Sequence, residues 1–351
     1  MQQVHIHFSI HGRAGLICFD RPKNLNALSR DMAVALREQL MTWDANEHVS
    51  HVVMVGSSPK AFCAGGDVRA LYDLLKERKY TQVTSYFQEE YLADLAVFEF
   101  SKPIISLVDG IVMGGGAGLM QASSHTVVTE NTKFAMPESA IGLFPDAGAS
   151  AFLGRCPEAV GLFLGMTGKI ITGADCFVLG LAHSVTRSSD MEKLKLALLK
   201  SVPEEIDAVL HEFRHDPGPS PLQQNRSAIE YIFSDYDPIL ARDRAKDMAT
   251  IKDDKFAEEI YQALKTRCPM TIAVFARLMR VNKDVWDTAT ALMTDFYVAT
   301  KMTKRSDFCE GIRAVLVDKT NDAVWVPAVL EDVTDALVDD VFDHSGLPPL
   351  R

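Results

Sequence analysis

An α/β fold followed by a helical C-terminal region is what this sequence predicts, and two observations predict it. Over roughly the first 200 residues, apolar runs of strand length alternate with amphipathic stretches of helical period. Beyond about residue 200 the strand signals stop, and charged amphipathic stretches follow one another. The chain is therefore read as a core over residues 1–200 and a mainly helical region over 201–351.

In order, residues 4–20 read as two strands joined by the turn His11-Gly12-Arg13-Ala14-Gly15. Ser29 reads as the N-cap of a helix from about Arg30 to Asp44, with Met32, Leu36 and Leu40 on one face. His51–Gly56 is a short buried strand. A loop through Ala64-Gly65-Gly66-Asp67 follows, and then a helix to Leu75. Residues 82–100 read as another helix, ended by Pro103 ahead of the buried strand Ile104–Val108. The glycine-dense stretch Gly110–Gly118 opens into a helix from about Ala117. Thr126–Thr129 is strand and Phe134–Gly148 a long loop.

Helical stretches follow at roughly 202–213, 221–233, 238–250, 253–266, 270–280 and 283–304, with Asp216-Pro217-Gly218-Pro219 as a linker. Ala314–Val317 is the last strand-like piece, and the tail beyond about 330 is acidic.

The bulk numbers narrow the function classes. The chain has 351 residues, 47% hydrophobic and 24% charged, which supports a sizeable core and argues against low-complexity disorder. A net charge of −11 and a pI near 5.4 make it a poor nucleic-acid binder, since phosphate contacts need a basic surface. No apolar run is long enough to span a bilayer. The six cysteines are scattered and form no C-x-x-C pair, so they read as reduced thiols. No charged segment, apolar segment and cleavage site precede Val4, and the expectation is a cytoplasmic protein.

Three segments can carry chemistry. Met113-Gly114-Gly115-Gly116-Ala117-Gly118-Leu119 lies between a buried strand and a helix. It misses the last glycine of a dinucleotide fingerprint, and Gly168-Lys169-Ile170 fails as a Walker loop. What remains is a turn that exposes N–H groups at a helix start, where developing negative charge is favoured; tight helix–strand packing explains such glycines equally well. Ala64-Gly65-Gly66-Asp67 is a second such loop, with Asp67 a candidate N-cap. Two of these loops make a two-donor oxyanion hole worth considering, each donor contributing roughly 3–4 kcal/mol to the transition state. The third segment, Phe134 to Gly148, sets the carboxylates Glu138 and Asp146 among apolar residues and glycines, a setting suited to acid–base work. For Glu138 alone, helix capping after Pro137 is the competing reading.

Other schemes do poorly. There is no G-x-S-x-G elbow and no metal-ligand spacing among the histidines, and His5, His7 and His11 alternate as surface residues would. Cys63 reads as a packed thiol.

These residues carry a resemblance. Arg21-Pro22-Lys23-Asn24-Leu25-Asn26-Ala27-Leu28, Ala61–Asp67 and Lys102–Gly118 resemble the crotonase (enoyl-CoA hydratase/isomerase) superfamily over most of residues 4–190, and the likeness returns at Asp307–Ala314 and Trp325-Val326-Pro327. The resemblance implies stacked β-β-α turns with a helical C-terminal part, an acyl-CoA-binding core, and backbone oxyanion donors at Gly66 and Gly115. CoA would run along Lys23–Ala27 and Ala64–Gly66, with Lys23, Leu25 and Ala64 in contact and Lys23 or Arg21 taking a CoA phosphate. It implies no separate cofactor, since CoA is part of the substrate, and no metal. Oligomeric state stays open, a homo-oligomer included, since crotonase relatives commonly assemble as trimers or pairs of trimers.

Within the superfamily, hydratases place one glutamate two residues after the triple glycine; here that position is Gly118. The second matches Glu138, and Asp146 stands where hydratases carry glycine. Phe134–Glu138 and Gly142–Asp146 instead resemble the branch that hydrolyses 3-hydroxyisobutyryl-CoA in valine breakdown, whose substrate-lining helical glutamate corresponds to Glu90. The chain departs from that branch at Ala149-Ser150-Ala151-Phe152, where glycine is usual, which puts the acyl group in question. The expected activity is hydrolysis of a short-chain 3-hydroxyacyl-CoA. The competing expectations are an enoyl-CoA hydratase or isomerase, a hydrolase of another short acyl-CoA, and an inactive acyl-CoA-binding scaffold.

Overall fold

A computed structural model describes residues 4–283 and 287–351. Contacts divide the chain into two compact units that are interleaved in sequence: residues 1–67, 89–135 and 171–221 form the first, and 68–88, 136–170 and 222–351 the second.

The first unit holds all the strands among the described residues. They are β1 (Ile6–His11), β2 (Ala14–Phe19), β3 (His51–Gly56), β4 (Ala61–Cys63), β5 (Ile104–Val108), β6 (Ile111–Met113), β7 (His125–Val128), β8 (Lys133–Ala135), β9 (Ile171–Thr172) and β10 (Ser184–Val185). One sheet has the order β1-β2-β3-β5-β7-β10 and the other β4-β6-β8-β9. Each successive pair, β3 with β4, β5 with β6 and β7 with β8, gives one strand to each sheet before the chain turns into helix. These are the stacked β-β-α turns that the sequence led us to expect.

Pairing is parallel except at two places, β1 with β2 and β8 with β9. β3 and β5 are apolar and buried almost throughout, as parallel strands covered on both faces must be. Val53, Val55, Ile105, Leu107 and Val127 of the larger sheet pack with Leu194, Leu198, Ile206 and Leu210 from the helices Met191–Leu198 and Ile206–Glu212. The edge strand β1 is largely exposed, and its histidines lie on the surface, His7 bonded to Asp20 at 3.0 Å.

Local signals explain the first helix. It runs Arg30–Asp44, with the Ser29 side chain accepting from the Met32 amide and Met32, Leu36 and Leu40 buried with Trp43. Gly15 leaves room for the Trp43 ring, which a Cβ there would meet at 2.6 Å.

The second unit is helical. Its main elements are Glu158–Thr167, Pro238–Lys252, Lys255–Thr266, Pro269–Val281 and Thr288–Met302, with shorter helices at Ala149–Gly154, Arg226–Ile232, Ser306–Ile312 and Asp335–Phe342. Asp237, Asp254, Asp287 and Thr334 cap four of these helices by accepting from first-turn amides. Gly165 lies under the Phe275 ring, where a Cβ would be only 2.0 Å from the nearest ring carbon, so the helices carrying them approach closely.

Several expectations need correction. Ala314–Val317 is not a strand: it lies in a π-helical turn, Arg313–Val317, that continues the helix Ser306–Ile312. Four apolar residues carry no periodicity that separates the two. The helix after the glycine turn starts at Gly115, not Ala117. Phe134–Gly148 is not wholly loop, since it holds the end of β8 and the 3-10 turn Glu138–Ala140. The predicted helix 283–304 is seen as Thr288–Met302, and its residues 284–286 lie outside the described residues. No helix among the described residues is long and apolar enough to cross a membrane.

Candidate active site

The first unit brings the two glycine loops together. Gly114, φ +52°, turns the chain out of β6 and donates its N–H to Ala135 O at 3.2 Å. Gly115 then opens the helix Gly115–Ala122, so its N–H lacks an intrahelical acceptor. Gly65, φ +98°, is so close that a Cβ there would lie 2.9 Å from Met113 O and 3.3 Å from Gly115 N. A Cβ on Gly115 would lie 3.5 Å from Gly66 N. The N–H groups expected to act as oxyanion donors therefore sit on neighbouring backbone. Packing is also part of the explanation, because a Cβ on Gly116 would strike Cys63 O at 2.2 Å.

Glu90 lies against this pair. A Cβ on Gly115 would be 2.1 Å from Glu90 Oε1, and Glu90 is only 4% exposed, so it does not belong to a solvated face. Its neighbour Glu89 pairs instead with Arg37 at 3.0 Å and Arg30 at 3.5 Å. One helical turn on, Asp94 is also buried. Burial pushes the Cys63 thiol up to about 12, and the charges of Glu90 and Asp94 push the same way. Cys63 is thus a neutral thiol, not a nucleophile.

The segments expected to carry CoA are laced to each other. Ala64 N donates to Leu25 O at 3.0 Å, Leu28 N to Gly65 O at 2.8 Å and Asp67 N to Leu28 O at 2.9 Å. Leu25 and Asn26 both take left-handed φ, near +52° and +58°, and Asn26 ties the bend down by donating to Ala61 O at 2.8 Å. Lys23 and Leu25 are exposed and Ala64 half-buried. Arg21 is engaged within the fold: its guanidinium meets Asp67 at 2.9 Å and Ala27 O at 2.8 Å. That leaves Lys23 as the exposed cation of this stretch, and Arg21 gives Asp67 an ion pair in addition to any capping role.

The second unit holds the two carboxylates. Glu138 opens the turn Glu138–Ala140, and its carbonyl accepts from Ile141 and Leu143 at 2.9 and 3.2 Å. Glu138 and Asp146 are each 5% exposed. Between them, Gly142 at φ +74° is pressed so closely on the helix Ser306–Ile312 that a Cβ would lie 2.3 Å from Asp307 O. From that helix Gly311 faces back, where a Cβ would lie 2.3 Å from the Ile141 carbonyl carbon. The sequence likeness that returns at Asp307–Ala314 thus falls on the helix pressed against the carboxylate segment.

After Asp146 the chain passes through Ala147, φ +52°, and Gly148, φ +81°, into the helix Ala149–Gly154. The Gly148 N–H donates to Asp295 Oδ2 at 2.8 Å. Ser150, in the stretch that departs from the family resemblance, is buried and accepts from Asn282 Nδ2 at 2.7 Å. Sequence reasoning missed Asp295; its signal was a lone acid among Leu292, Phe296, Val298 and Ala299 in an apolar helical run.

Comparison with known proteins follows the same lines. The family model described as enoyl-CoA hydratase/isomerase matches residues 14–342. Among curated relatives, the mitochondrial 3-hydroxyisobutyryl-CoA hydrolase of Xenopus tropicalis is 35% identical over 350 residues, covering 97% of this chain and 89% of its own. The 3-hydroxyisobutyryl-CoA hydrolase 1 of Arabidopsis thaliana is 33% identical, covering 95% and 92%. Among solved structures, a carnitinyl-CoA dehydratase from Mycobacterium thermoresistibile is 31% identical with a TM-score of 0.92 over 99% of both chains. An enoyl-CoA hydratase from Rhodobacter sphaeroides 2.4.1 is 29% identical with a TM-score of 0.90, again over 99% of both. The cytoplasmic expectation is overturned here, because relative after relative from vertebrates is named as mitochondrial. With a family model matched over nearly its whole length and the glycine loops of that family in place, the chain belongs to the enoyl-CoA hydratase/isomerase (crotonase) family and is an enzyme that processes acyl-CoA.

Proposed function

We propose that this protein hydrolyses the thioester of a short-chain 3-hydroxyacyl-CoA, with 3-hydroxyisobutyryl-CoA the first substrate to test. The observation that carries the reading is a substitution of roles along the chain. Gly118, buried in the helix Gly115–Ala122, stands where a hydratase needs its first glutamate, while Asp146 supplies a carboxylate that hydratases lack. Relatives at 33–35% identity over nearly the full chain bear the hydrolase name, which supports the same choice.

The roles follow from the chemistry of each group. The N–H groups of Gly66 and Gly115 hold the thioester oxygen as it gains charge, a contribution of roughly 3–4 kcal/mol per donor. Glu138 is the reacting carboxylate. It either attacks the carbonyl carbon, expelling CoA thiolate and leaving a mixed anhydride for water to open, or takes a proton from the water that attacks. Asp146 orients the 3-hydroxyl or relays the proton. Glu90 lines the acyl site, and Lys23, Leu25 and Ala64 take the CoA. Label found in Glu138 after a single turnover in oxygen-18 water identifies the anhydride route, because water that opens the anhydride at the Glu138 carbonyl carbon leaves its oxygen there, whereas the general-base route never does.

The deciding assay is release of free thiol from 3-hydroxyisobutyryl-CoA, run beside hydration of crotonyl-CoA. Thiol release without hydration upholds the proposal. Hydration without thiol release sinks it in favour of a hydratase, the reading favoured by the names of the solved structures at TM-scores of 0.92 and 0.90.

A further inference from the structure

We infer that Asp295 is a positioning residue for Asp146: a buried acid that holds the 146–148 turn by its backbone and acts in its uncharged form. The inference rests on the hydrolase reading for the role of Asp146, and on geometry for the rest. Ala147 and Gly148 take consecutive left-handed conformations at φ +52° and +81°, and such a turn persists only where its surroundings over-determine it. The helix Thr288–Met302 provides those surroundings with one face. Thr288 and Leu292 lie beneath Gly148, with Thr288 Cγ2 3.6 Å and Leu292 Cδ2 4.0 Å from where a Cβ would stand. Asp295, on the same face, accepts the Gly148 N–H at 2.8 Å.

Asp295 is fully buried. Its Oδ1 is enclosed and has no hydrogen-bond partner among the described residues, and no cation pairs with it there. A bare carboxylate is costly in such a place, whereas the acid form needs no counter-ion. Burial raises the Asp295 carboxyl well above the usual range, the Gly148 N–H pulls it back in part, and the charge of Asp146 raises it further. The Gly148 N–H is thus held by an acid that keeps its proton.

The test compares Asp295→Asn, Asp295→Leu and Asp146→Asn by kcat and KM for thiol release, with melting to check the fold. Asparagine keeps an uncharged acceptor for the Gly148 N–H and is expected to stay within a few-fold of the parent enzyme. Leucine keeps the branched heavy-atom skeleton, though it is bulkier, and loses the acceptor; kcat should fall on the order of 10–100-fold with KM within about threefold, the cost of a reacting group displaced by about 1 Å. Amide exchange of a peptide spanning Gly148 reads the contact without turnover: protection should match the parent in the Asn variant and drop about tenfold or more in the Leu variant, or in Asp295→Ala if Leu fails to fold. The inference is overturned if Leu matches the parent in kcat, if Asn is as damaged as Leu, or if protection of Gly148 is the same in every variant. A parent enzyme that releases no thiol overturns the hydrolase reading instead, and the exchange measurement still decides whether Asp295 holds the turn.

Discussion

Gly115 and Glu90 are fitted to each other: the space a methyl group at 115 would need is already held by Glu90 Oε1, 2.1 Å from the Cβ position. The obstacle is the end of a flexible side chain, so Gly115→Ala is expected to fold and to push the Glu90 carboxylate aside. The loss should appear in kcat/KM, on the order of 100-fold, with a melting temperature close to the parent's. Gly116→Ala is the opposite case, because its Cβ would meet the backbone oxygen of Cys63 at 2.2 Å. Backbone does not swing away, so the cost falls on stability, about 1–3 kcal/mol or more by chemical unfolding.

Glu138→Gln and Asp146→Asn should each remove most thiol-release activity, on the order of 1,000-fold in kcat, while circular dichroism stays native. Both changes keep volume and remove charge. Near-normal hydrolysis by Asp146→Asn would show that the branch of the family was misassigned.

Lys23 and Arg21 lie two residues apart, yet only Lys23 is free to meet a phosphate. Lys23→Ala is expected to raise KM for the CoA thioester several-fold and to leave KM for the matching pantetheine thioester unchanged. Arg21→Ala removes the pair with Asp67 at 2.9 Å and the bond to Ala27 O, and should lower stability by about 1–2 kcal/mol. Equal effects of Lys23→Ala on both thioesters would count against a phosphate contact.

The cysteines give a pH test. Cys63 and Cys156 are pushed up to about 12 and Cys268 to about 11, each chiefly by burial. At pH 8 a thiol near 12 is ionised in roughly one molecule in ten thousand, so native protein treated with iodoacetamide should keep its activity. Peptide mapping should find Cys18 and Cys309, which are only half-buried, modified first. Rapid loss of activity tied to Cys63 labelling would count against reading it as an inert packed thiol.

What could be read from the sequence was whatever is written locally. The helix Arg30–Asp44 was legible because its cap and its apolar stripe lie within fifteen residues of each other. β3 and β5 were legible as buried runs, and the glycine loops as motifs. Ala314–Val317 was not, since a short apolar run fits a strand as well as the end of a helix. Asp295 was out of reach for another reason: its meaning lies in a hydrogen bond to a residue 147 positions away. The interleaving of the two units is likewise a property of distant contacts. The change near residue 200 is real in texture, as the last strand among the described residues is Ser184–Val185, but a division of function at that point remains a proposal.

The closeness of Gly142 to Asp307, and of Gly311 to Ile141, ties two stretches of chain that are far apart in sequence. Neither glycine can gain a side chain unless the other stretch gives way, because on each side the obstacle is backbone. Homologues that replace one of them should therefore carry a compensating insertion or shift in the other. A chain cut short before residue 306 would retain Glu138 and Asp146 and still lose the template that gives them their shape.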